Sequence, residues 1–437
     1  MKKSIITVLV GAAVGLPIQA QTLEEAVTHT LMTHPKVKEA FHLYQVRQYE
    51  QDEAVAGYLP TLDADAGIGY EYTDSPGTRD GGGRADKTLT RRELGLSLRQ
   101  MLFDGFKTSS NVHRTQAEAD AQRYMLLADA ENIALRVAEV YLDVLRQTDI
   151  VELSRRNLET HEQIFSDIKR RTDSGVGSTA DFTQIQGRVA RAYSNMTAAE
   201  NNLRDAQSQF LSLVNDMPGD LRQPQPDANF IPPSLDDALA MAQEQHPTLS
   251  SASFDVDAAR YQHEDAKSGF YPKVNLELDS GWDEDIDGVR GHNNDFTAMV
   301  RMRYNLFNGG ADVARSRSTS ALEMQAKDIH MNAYRQVDEG MRLAWAAYES
   351  LGRQKDFLRQ HVEASYNTVD AYKKQFSLGN RTLLDVLNTE NELFEARRSY
   401  INAESDQLLA EYRIMNASGQ LLDALRFTQP EQWQANN

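Results

Sequence analysis

The stretch TLEEA…THP…GYLP from Thr22 to Pro60 returns as SLDDA…QHP…GFYP from Ser234 to Pro272. All three motifs keep the same spacing, because positions 22, 34 and 57 become 234, 246 and 269. Further along the chain, LFDG at 102–105 returns as LFNG at 306–309. Internal repeats of about 200 residues are duplicated half-molecules, not the short units of a solenoid. The sequence therefore predicts one structural unit built twice.

These repeats set the predicted domain boundaries. Residues 217–233, between the copies, hold five of the twelve prolines, which is typical of an extended linker. We expect a first structural repeat over 21–216, a second over 234–422, and a C-terminal tail over 423–437. The expected order of elements within a repeat is a helix, two strands, a long helix and a further helix.

The first twenty residues have the features of an export signal. Lys2 and Lys3 precede an apolar stretch from Ile5 to Leu16, and the small residue Ala20 follows. An apolar segment of about a dozen residues is too short to span a bilayer as a helix. We therefore predict that residues 1–20 are a signal peptide and that the mature chain leaves the cytoplasm without a transmembrane helix.

Composition argues against several classes of function. The 437 residues carry a net charge of −18, whereas nucleic-acid binding needs a basic surface. The absence of cysteine removes disulfides, thiolate metal sites and cysteine nucleophiles. No paired zinc-binding histidines or Ser/His/Asp grouping stands out, and the acidic loop 283–294 ends in Asn294 where an EF-hand has glutamate. We predict no enzyme, no cofactor, no metal and no nucleic-acid partner.

Alternating apolar and polar residues predict four strands of roughly ten residues each. The alternation runs over 61–72 and 93–99 in the first copy, and over 274–279 and 296–306 in the second. Polar loops at 73–88 and 283–294 join the strands in pairs. One interpretation is two hairpins on a soluble core, and the other is a membrane barrel. Four segments of membrane-spanning length in an exported chain favour the barrel.

The rest of each copy is predicted to be helical. Residues 107–173 and 311–377 lack proline and predict two very long helices, while 22–57 and 178–215 predict helices about half as long. Apolar residues in 178–215 recur in alternating steps of four and three, which is coiled-coil spacing. The seam consists of Ile185, Val189, Ala192, Met196, Ala199, Leu203, Ala206, Phe210 and Leu213. The matching seam of the second copy is Leu393, Ala396, Tyr400, Ala403, Gln407, Ala410, Ile414 and Ala417. An ordinary helical bundle is the alternative, but it does not account for the inserted strands.

Four strands cannot close a barrel by themselves, because open edges would expose unpaired backbone groups to lipid. Two, three or four chains would supply eight, twelve or sixteen strands. An eight-stranded barrel is nearly filled by its side chains, whereas a larger barrel leaves an open lumen. The residues alone leave the number of chains open.

The order of these motifs from Thr22 to about Leu422 resembles the TolC-type outer-membrane channel proteins of Gram-negative bacteria. The most specific segment is FSLGNRTLLDVLN at 376–388. The resemblance implies a mainly α protein with a transmembrane β part. In that arrangement three chains each contribute four strands to a twelve-stranded β-barrel in outer-membrane lipid, and their coiled-coil-like helices form a periplasmic α-barrel.

The same resemblance implies partners. Such a homotrimer works with a periplasmic adaptor (a membrane fusion protein) and an inner-membrane transporter, which is either an ATP-binding-cassette or a proton-driven protein. Because the chain has no cysteine to carry a lipid anchor, it resembles the unlipidated branch, whose members often serve type I protein secretion. The resemblance thus predicts an exit duct for protein or small-molecule cargo.

The resemblance also implies a periplasmic constriction. Arg381 matches the gate arginine, Asp181 its acidic partner, and Asp385 an aspartate of the ring that lines the opening. Phe376 stands where the family pattern has a tyrosine, and Asn388 where it has a second aspartate, so the tyrosine hydroxyl and the second acidic ring are missing here. Taken alone, an arginine and an aspartate near a helix start would be interpreted as a surface pair or a helix cap.

Two other functions stay open at this stage. A stand-alone outer-membrane solute pore would also use the strands, but it has no need of such long helices. A structural coiled-coil protein of the envelope would use the helices, but it has no need of the strands. The exit duct uses both.

Overall fold

The computed structural model describes residues 21–79 and 86–434. The predicted signal peptide at 1–20, part of the loop at 73–88 and the last three residues of the tail lie outside the described residues. The described chain divides into two compact units. One comprises residues 21–39, 127–246 and 336–431, and the other comprises the rest.

The helices follow the predicted order in both repeats. The first repeat has α1 (Leu23–Thr33), α2 (Pro35–Ala56), the single turn α3 (Pro76–Arg79), α4 (Lys107–Asp173) and α5 (Thr179–Val214). The second has α6 (Leu235–Gln245), α7 (Pro247–Lys267), α8 (Ala311–Ser377), α9 (Leu383–Ala417) and the short α10 (Leu421–Ala424). The bounds of α4 and α8 agree with the predicted 107–173 and 311–377. None of the helices in the described part of the chain is both long and apolar enough to cross a bilayer.

The helical segment predicted over 22–57 is divided into α1 and α2 at His34–Pro35. A proline disfavours helical backbone angles at the residue before it. His34 accordingly has φ −67° and ψ 130°, and its N–H caps α1 by donating to the Thr30 carbonyl at 2.7 Å. The second copy breaks in the same way at His246, where ψ is 121°. The HP motif is thus a repeated helix boundary.

The TLEEA motif is a helix start. The Thr22 hydroxyl accepts from the Glu25 N–H at 3.3 Å, and the Glu25 carboxylate accepts from the Thr22 N–H at 3.0 Å. This capping box satisfies two backbone donors that a helix otherwise leaves unpaired. Ser234 accepts from the Asp237 N–H in the second copy. The first repeated motif therefore fixes where each repeat begins to be helical.

The linker between the repeats lies against the start of the chain. Gln21 forms a parallel bridge with Leu221, and its carbonyl accepts from the Arg222 N–H at 3.2 Å. The fully buried Tyr141 hydroxyl lies 2.8 Å from the Gln21 carbonyl and 2.7 Å from that of Arg222. Burial raises the pKa of Tyr141 to about 12, so the hydroxyl stays protonated and keeps donating. The Tyr141 side chain of α4 thus contacts both the linker and the segment before α1.

Four antiparallel strands form one sheet in the order β1-β2-β3-β4. They are β1 (Thr61–Asp74), β2 (Asp86–Phe103), β3 (Lys273–Glu284) and β4 (His292–Arg303). The β2–β3 pairing joins the two repeats, and its register places Leu98 opposite Leu278. Leu62 pairs with Leu98 and Leu278 with Ala298, so these apolar residues share one face across all four strands.

This apolar face is open in the single chain. Ile68, Tyr70 and Phe296 are each at least 70% exposed. The opposite face carries charges that pair across strands, since Glu277 of β3 contacts Arg301 of β4 at 2.6 Å and Arg99 of β2 at 3.7 Å. One apolar face and one polar face are what a strand of a membrane barrel presents to lipid and to lumen.

The strand bounds differ from the prediction, since β3 extends to Glu284 instead of 279 and β4 runs from His292 to Arg303 instead of over 296–306. The largest difference is in the second strand. Residues 93–99 predicted the second strand, but β2 begins at Asp86 and extends to Phe103. Near its start the strand carries Arg92 where the alternation of Leu94, Leu96 and Leu98 would place an apolar residue. Arg91 pairs with Glu71 of β1 at 2.8 Å, and Arg92 with Glu284 of β3 at 2.7 Å. Ion pairs replace apolar contacts there, so hydrophobic patterning could not detect that part of the strand.

The predicted heptad seams are confirmed as the packed faces of α5 and α9. Every seam residue is buried or half-buried. On α5, Ala192, Ala199 and Ala206 are at most 4% exposed, and Ala403 and Ala410 of α9 are buried to the same degree. Small residues at these positions let neighbouring helices approach closely, so their size is part of the fold.

Replacing Ala199 or Ala403 by leucine should therefore overpack the seam. The expected loss is about 1–3 kcal/mol of folding free energy per site, because a close-packed interior has no room for three extra carbons. The thermal unfolding midpoint and the yield of assembled protein measure the effect. Ala190→Leu is the matched control, since Ala190 is exposed on the same helix. Equal losses in Ala190→Leu and Ala199→Leu would mean that α5 is not packed through this seam.

Candidate functional site

Two helix hairpins end in turns of the same design. The α4–α5 turn contains Gly175 with φ 76°, and the α8–α9 turn contains Gly379 with φ 77°. This left-handed conformation suits glycine, and it closes the last turn of the preceding helix. The Gly175 N–H donates to the Thr172 carbonyl and the Gly379 N–H to the Phe376 carbonyl, both at 3.0 Å. The repeat thus presents two equivalent hairpin ends.

An apolar cluster packs the two hairpin ends together. Its buried residues are Ile168 of α4, Ile185 of α5, and Leu383 and Leu387 of α9. Ile185 and Leu387 are fully buried, and Leu383 is 2% exposed. Partly buried residues around them are Ile164, Phe165, Phe182, Val189 and Phe376. Because both hairpins contribute, we call these nine residues the tip cluster.

Phe376, the residue in the tyrosine position, is a member of the tip cluster. It is the next-to-last residue of α8 and is half-buried. The Arg171 guanidinium of α4 lies over its ring at 5.4 Å from the centroid, which is a cation–π contact. Phe376 therefore joins the hairpins through its ring face instead of a hydroxyl. Arg171 is a functional candidate that sequence patterns did not single out.

Arg381 is held by its own hairpin. Its Nε donates to Gln375 Oε1 at 2.9 Å, and its guanidinium carbon lies 4.2 Å above the Tyr372 ring. Its Nη1 lies 4.0 Å from Asp385 Oδ2, with both side chains 37% exposed. Asp181 lies half-buried in the first turn of α5, and its side chain has no ion pair within the described residues. The structure therefore places Arg381 with Asp385, and the expected link from Arg381 to Asp181 is not among its contacts within one chain.

Asp385 caps the helix that it opens. Its carboxylate accepts from the Thr382 N–H at 3.2 Å, and its own N–H donates to the Thr382 hydroxyl at 3.3 Å. Hydrogen bonds from the Thr382 side chain and backbone, and to a smaller degree the charge of Arg381, lower the pKa of Asp385 below its usual value. Asp385 is therefore both the helix cap considered above and a negative charge at neutral pH.

Asn388 joins the hairpins through a polar contact. Its Oδ1 accepts from Nη2 of Arg188, on α5, at 2.8 Å. Arg188 was missed by sequence reasoning, although its position carries a signal. It follows Asp181 by seven residues on α5, so the two lie on one helix face two turns apart.

The site residues therefore cluster around one feature. Phe376, Arg381, Asp385 and Asn388 come from the α8–α9 end and Asp181 from the α4–α5 end. No group of three or more metal-binding side chains occurs among the residues that the structure describes. The two hairpin ends thus meet through an apolar contact that has polar side chains around it.

Known proteins match this chain over most of its length. The family model described as "Outer membrane efflux protein" matches residues 26–216 and 238–420. The outer membrane efflux protein BepC of Brucella suis is 27% identical over 425 residues, covering 94% of this chain and 90% of BepC. TolC of Escherichia coli K12 is 22% identical, with 96% and 87% covered. The alkaline protease secretion protein AprF of Pseudomonas aeruginosa is 23% identical, with 90% and 83% covered.

Solved structures agree on the fold. The outer membrane protein VceC of Vibrio cholerae superposes with a TM-score of 0.77 at 17% identity, covering 91% of this chain and 96% of VceC. The predicted resemblance to TolC-type proteins, the mainly helical fold with a β-barrel part and the outer-membrane location are confirmed. The chain therefore belongs to the outer membrane efflux protein family, a family of outer-membrane efflux and secretion channels.

Proposed function

We propose that this protein is the outer-membrane exit duct of a tripartite type I secretion or efflux system. It takes protein or small-molecule cargo from a periplasmic adaptor and an inner-membrane transporter to the exterior. The observation that carries the proposal is the tip cluster, where two hairpin ends meet through a small apolar contact with polar side chains around it. A duct that opens only when engaged needs a contact of this kind.

The sheet supports assembly into a homotrimer. Within the described chain, β1 and β4 are the outer strands of the four-stranded sheet. A sheet edge in lipid would leave backbone N–H and C=O groups without hydrogen bonds. Pairing of β4 with β1 of a neighbouring copy satisfies both edges, and three copies supply twelve strands. The open apolar face then contacts outer-membrane lipid, and the charged face lines the lumen.

The relatives support both kinds of cargo. BepC is named as an efflux protein and AprF as a protease secretion protein, and this chain matches each over at least 83% of its length. The long helices α4 and α8 distinguish a duct from a stand-alone pore, because a pore needs no helical extension. At 1.5 Å per residue, 67 helical residues extend roughly 100 Å.

Two measurements test the proposal together. Purified protein in planar lipid bilayers should show single-channel conductance, which a structural envelope protein would not. Pull-down of the native protein from crosslinked envelopes should recover an adaptor and an inner-membrane transporter. If the protein conducts but the pull-down recovers no adaptor, the protein is a stand-alone pore. If it does not conduct, every channel function is excluded.

The first gating prediction concerns Arg381. We expect Arg381→Ser to raise the conductance of the closed channel and to sensitise cells to large antibiotics such as vancomycin. The substitution removes the contacts to Gln375, Tyr372 and Asp385, and any link to Asp181 in the assembled trimer. An exposed ion pair contributes only about 0.2–1 kcal/mol, but threefold symmetry removes three sets at once.

Arg353→Ser is the matched control for this variant. Arg353 lies exposed on α8, away from the turn, and has no ion pair within the described residues. It should leave closed-state conductance and vancomycin sensitivity at wild-type values. If Arg381→Ser trimers conduct like Arg353→Ser trimers, Arg381 does not hold the constriction.

A further inference from the structure

The contact between Arg188 and Asn388 lies directly beside the tip cluster. Arg188 is next to Val189 and one turn after Ile185, and Asn388 follows Leu387. Ile185 and Leu387 are both fully buried. Their packing fixes the backbones of α5 and α9 at this level, so the two polar side chains meet at a defined separation.

Arg188 and Asn388 are hydrogen-bonded to each other. Within the described residues, the hydrogen bond of 2.8 Å from Arg188 Nη2 to Asn388 Oδ1 is the side-chain contact that both residues share. Neither residue takes part in an ion pair within that part of the chain. Asn388 is exposed and Arg188 is half-buried, so water reaches the pair and can replace either partner when the helices separate. The contact is therefore reversible.

The chemistry of the pair sets its strength. A guanidinium that donates to a neutral amide forms a weaker hydrogen bond than one that donates to a carboxylate. The tip cluster supplies an apolar contact without direction, whereas a hydrogen bond requires one rotation and one axial position of α5 against α9. The pair can thus fix how the hairpins align without making separation costly.

We propose that Arg188 is a positioning residue of the constriction, and that its hydrogen bond to Asn388 holds the α4–α5 hairpin in register with the α8–α9 hairpin when the duct is closed. This inference rests on the proposed channel function. Separation of the hairpin ends breaks the bond in each of three chains. Asn388 sets a low threshold for that separation, and a carboxylate at the same position would raise it.

Closed-state conductance of purified trimers in planar bilayers tests the proposal. Losing one such solvent-accessible hydrogen bond, at the low end of about 0.5 kcal/mol, shifts the open-to-closed ratio by about twofold, and three identical bonds shift it by roughly tenfold. We expect Arg188→Ala and Asn388→Ala each to produce this increase, and the double variant to add nothing further. Asn388→Asp should lower leakage below wild type, and Arg188→Ala in the same chain should abolish that gain.

Rescue separates positioning from general loosening of the fold. The exchange of Arg188→Asn with Asn388→Arg restores a donor and an acceptor, so leakage should return to within about twofold of wild type. The matched control is Arg191→Ala, which removes the same charge from an exposed position on α5 that has no ion pair within the described chain. Its conductance should equal that of wild type.

The outcomes are distinguishable. If wild-type trimers conduct but Arg188→Ala behaves like Arg191→Ala, the positioning role is wrong and the channel function stands. If trimers with the exchanged residues leak as much as the single variants, a hydrogen bond between these two positions does not hold the hairpins in register. The inference then fails. If wild-type protein does not conduct at all, the proposed function fails and the inference with it.

Discussion

Leu387→Ala should produce one of the largest changes that a single substitution can cause in this protein. Leu387 is fully buried in the tip cluster, where it contacts residues of both hairpins. Truncating a buried leucine costs about 2–5 kcal/mol, because transfer energy is lost and a cavity is left. Since the cluster holds the hairpin ends together, we expect a lower unfolding midpoint and a higher closed-state conductance of the purified protein than in wild type.

Leu384→Ala provides the matched control on the same helix. Leu384 is 46% exposed, so its truncation should cost much less and leave closed-state conductance unchanged. Thermal unfolding of detergent-solubilised protein and bilayer conductance report the two effects separately. Equal leakage in the two variants would show that the tip cluster does not keep the duct closed.

Glu131→Ala should lower the stability of the fold about as much as Leu387→Ala does, but through lost hydrogen bonds instead of a cavity. Glu131 is 5% exposed, and its two carboxyl oxygens accept from the Leu421 and Leu422 N–H groups at 3.2 and 3.1 Å. Alanine leaves both backbone donors buried without a partner, at about 1–3 kcal/mol each. The unfolding midpoint should fall accordingly. Glu139→Ala is the control, because the half-buried Glu139 forms a peripheral ion pair with Arg413 at 3.3 Å and should cost under about 1 kcal/mol.

Glu131 also predicts how stability depends on pH. Burial, which the hydrogen bonds from Leu422 and Leu421 only partly offset, raises the pKa of Glu131 from 4.5 to about 8. The folded state therefore holds a proton that the unfolded state releases above pH 4.5. This contribution to stability is fully present below pH 4.5 and declines by up to about 1.4 kcal/mol per pH unit until pH 8.

The pH dependence is measured by thermal unfolding across that window. Glu131→Gln removes the titrating group and keeps one amide oxygen as an acceptor. Its unfolding midpoint should be less dependent on pH between 4.5 and 8 than that of wild type. A parallel pH profile in both proteins would show that Glu131 is ionised in the folded state.

The long elements could be predicted because their signals are local. The bounds of α4 and α8 follow from uninterrupted helical patterning, and the HP motifs mark helix boundaries through the geometry that proline imposes. The apolar face and the polar face of the sheet follow from the alternation of apolar and polar residues along the strands. The first half of β2 could not be predicted in this way, since Arg92 occupies an apolar position of the alternation and pairs with Glu284 there.

The candidate site was predictable only as a set of positions. The motif at 376–388 identified the α8–α9 end, and the repeat identified Asp181 at the other. Which side chains touch depends on how α5 packs against α9, and a heptad pattern gives a face but not a partner. The contacts of Arg171 with Phe376 and of Arg188 with Asn388 therefore needed coordinates. The same holds for Glu131, whose partners lie about 290 positions along the chain.

The pairing of β2 with β3 bears on the origin of this protein. The two repeats join in the sheet by the same antiparallel pattern that joins the strands within each hairpin. A single repeat has the strand pairing needed to close a ring of six identical copies, and duplication with fusion would convert such a ring into the proposed trimer. In six identical copies every contact between neighbouring hairpins would join the same two positions, so all six contacts would be alike. After fusion, position 188 could become arginine while its counterpart 392 became glutamate. Covalent duplication thus gave neighbouring hairpins the freedom to evolve different and complementary ends.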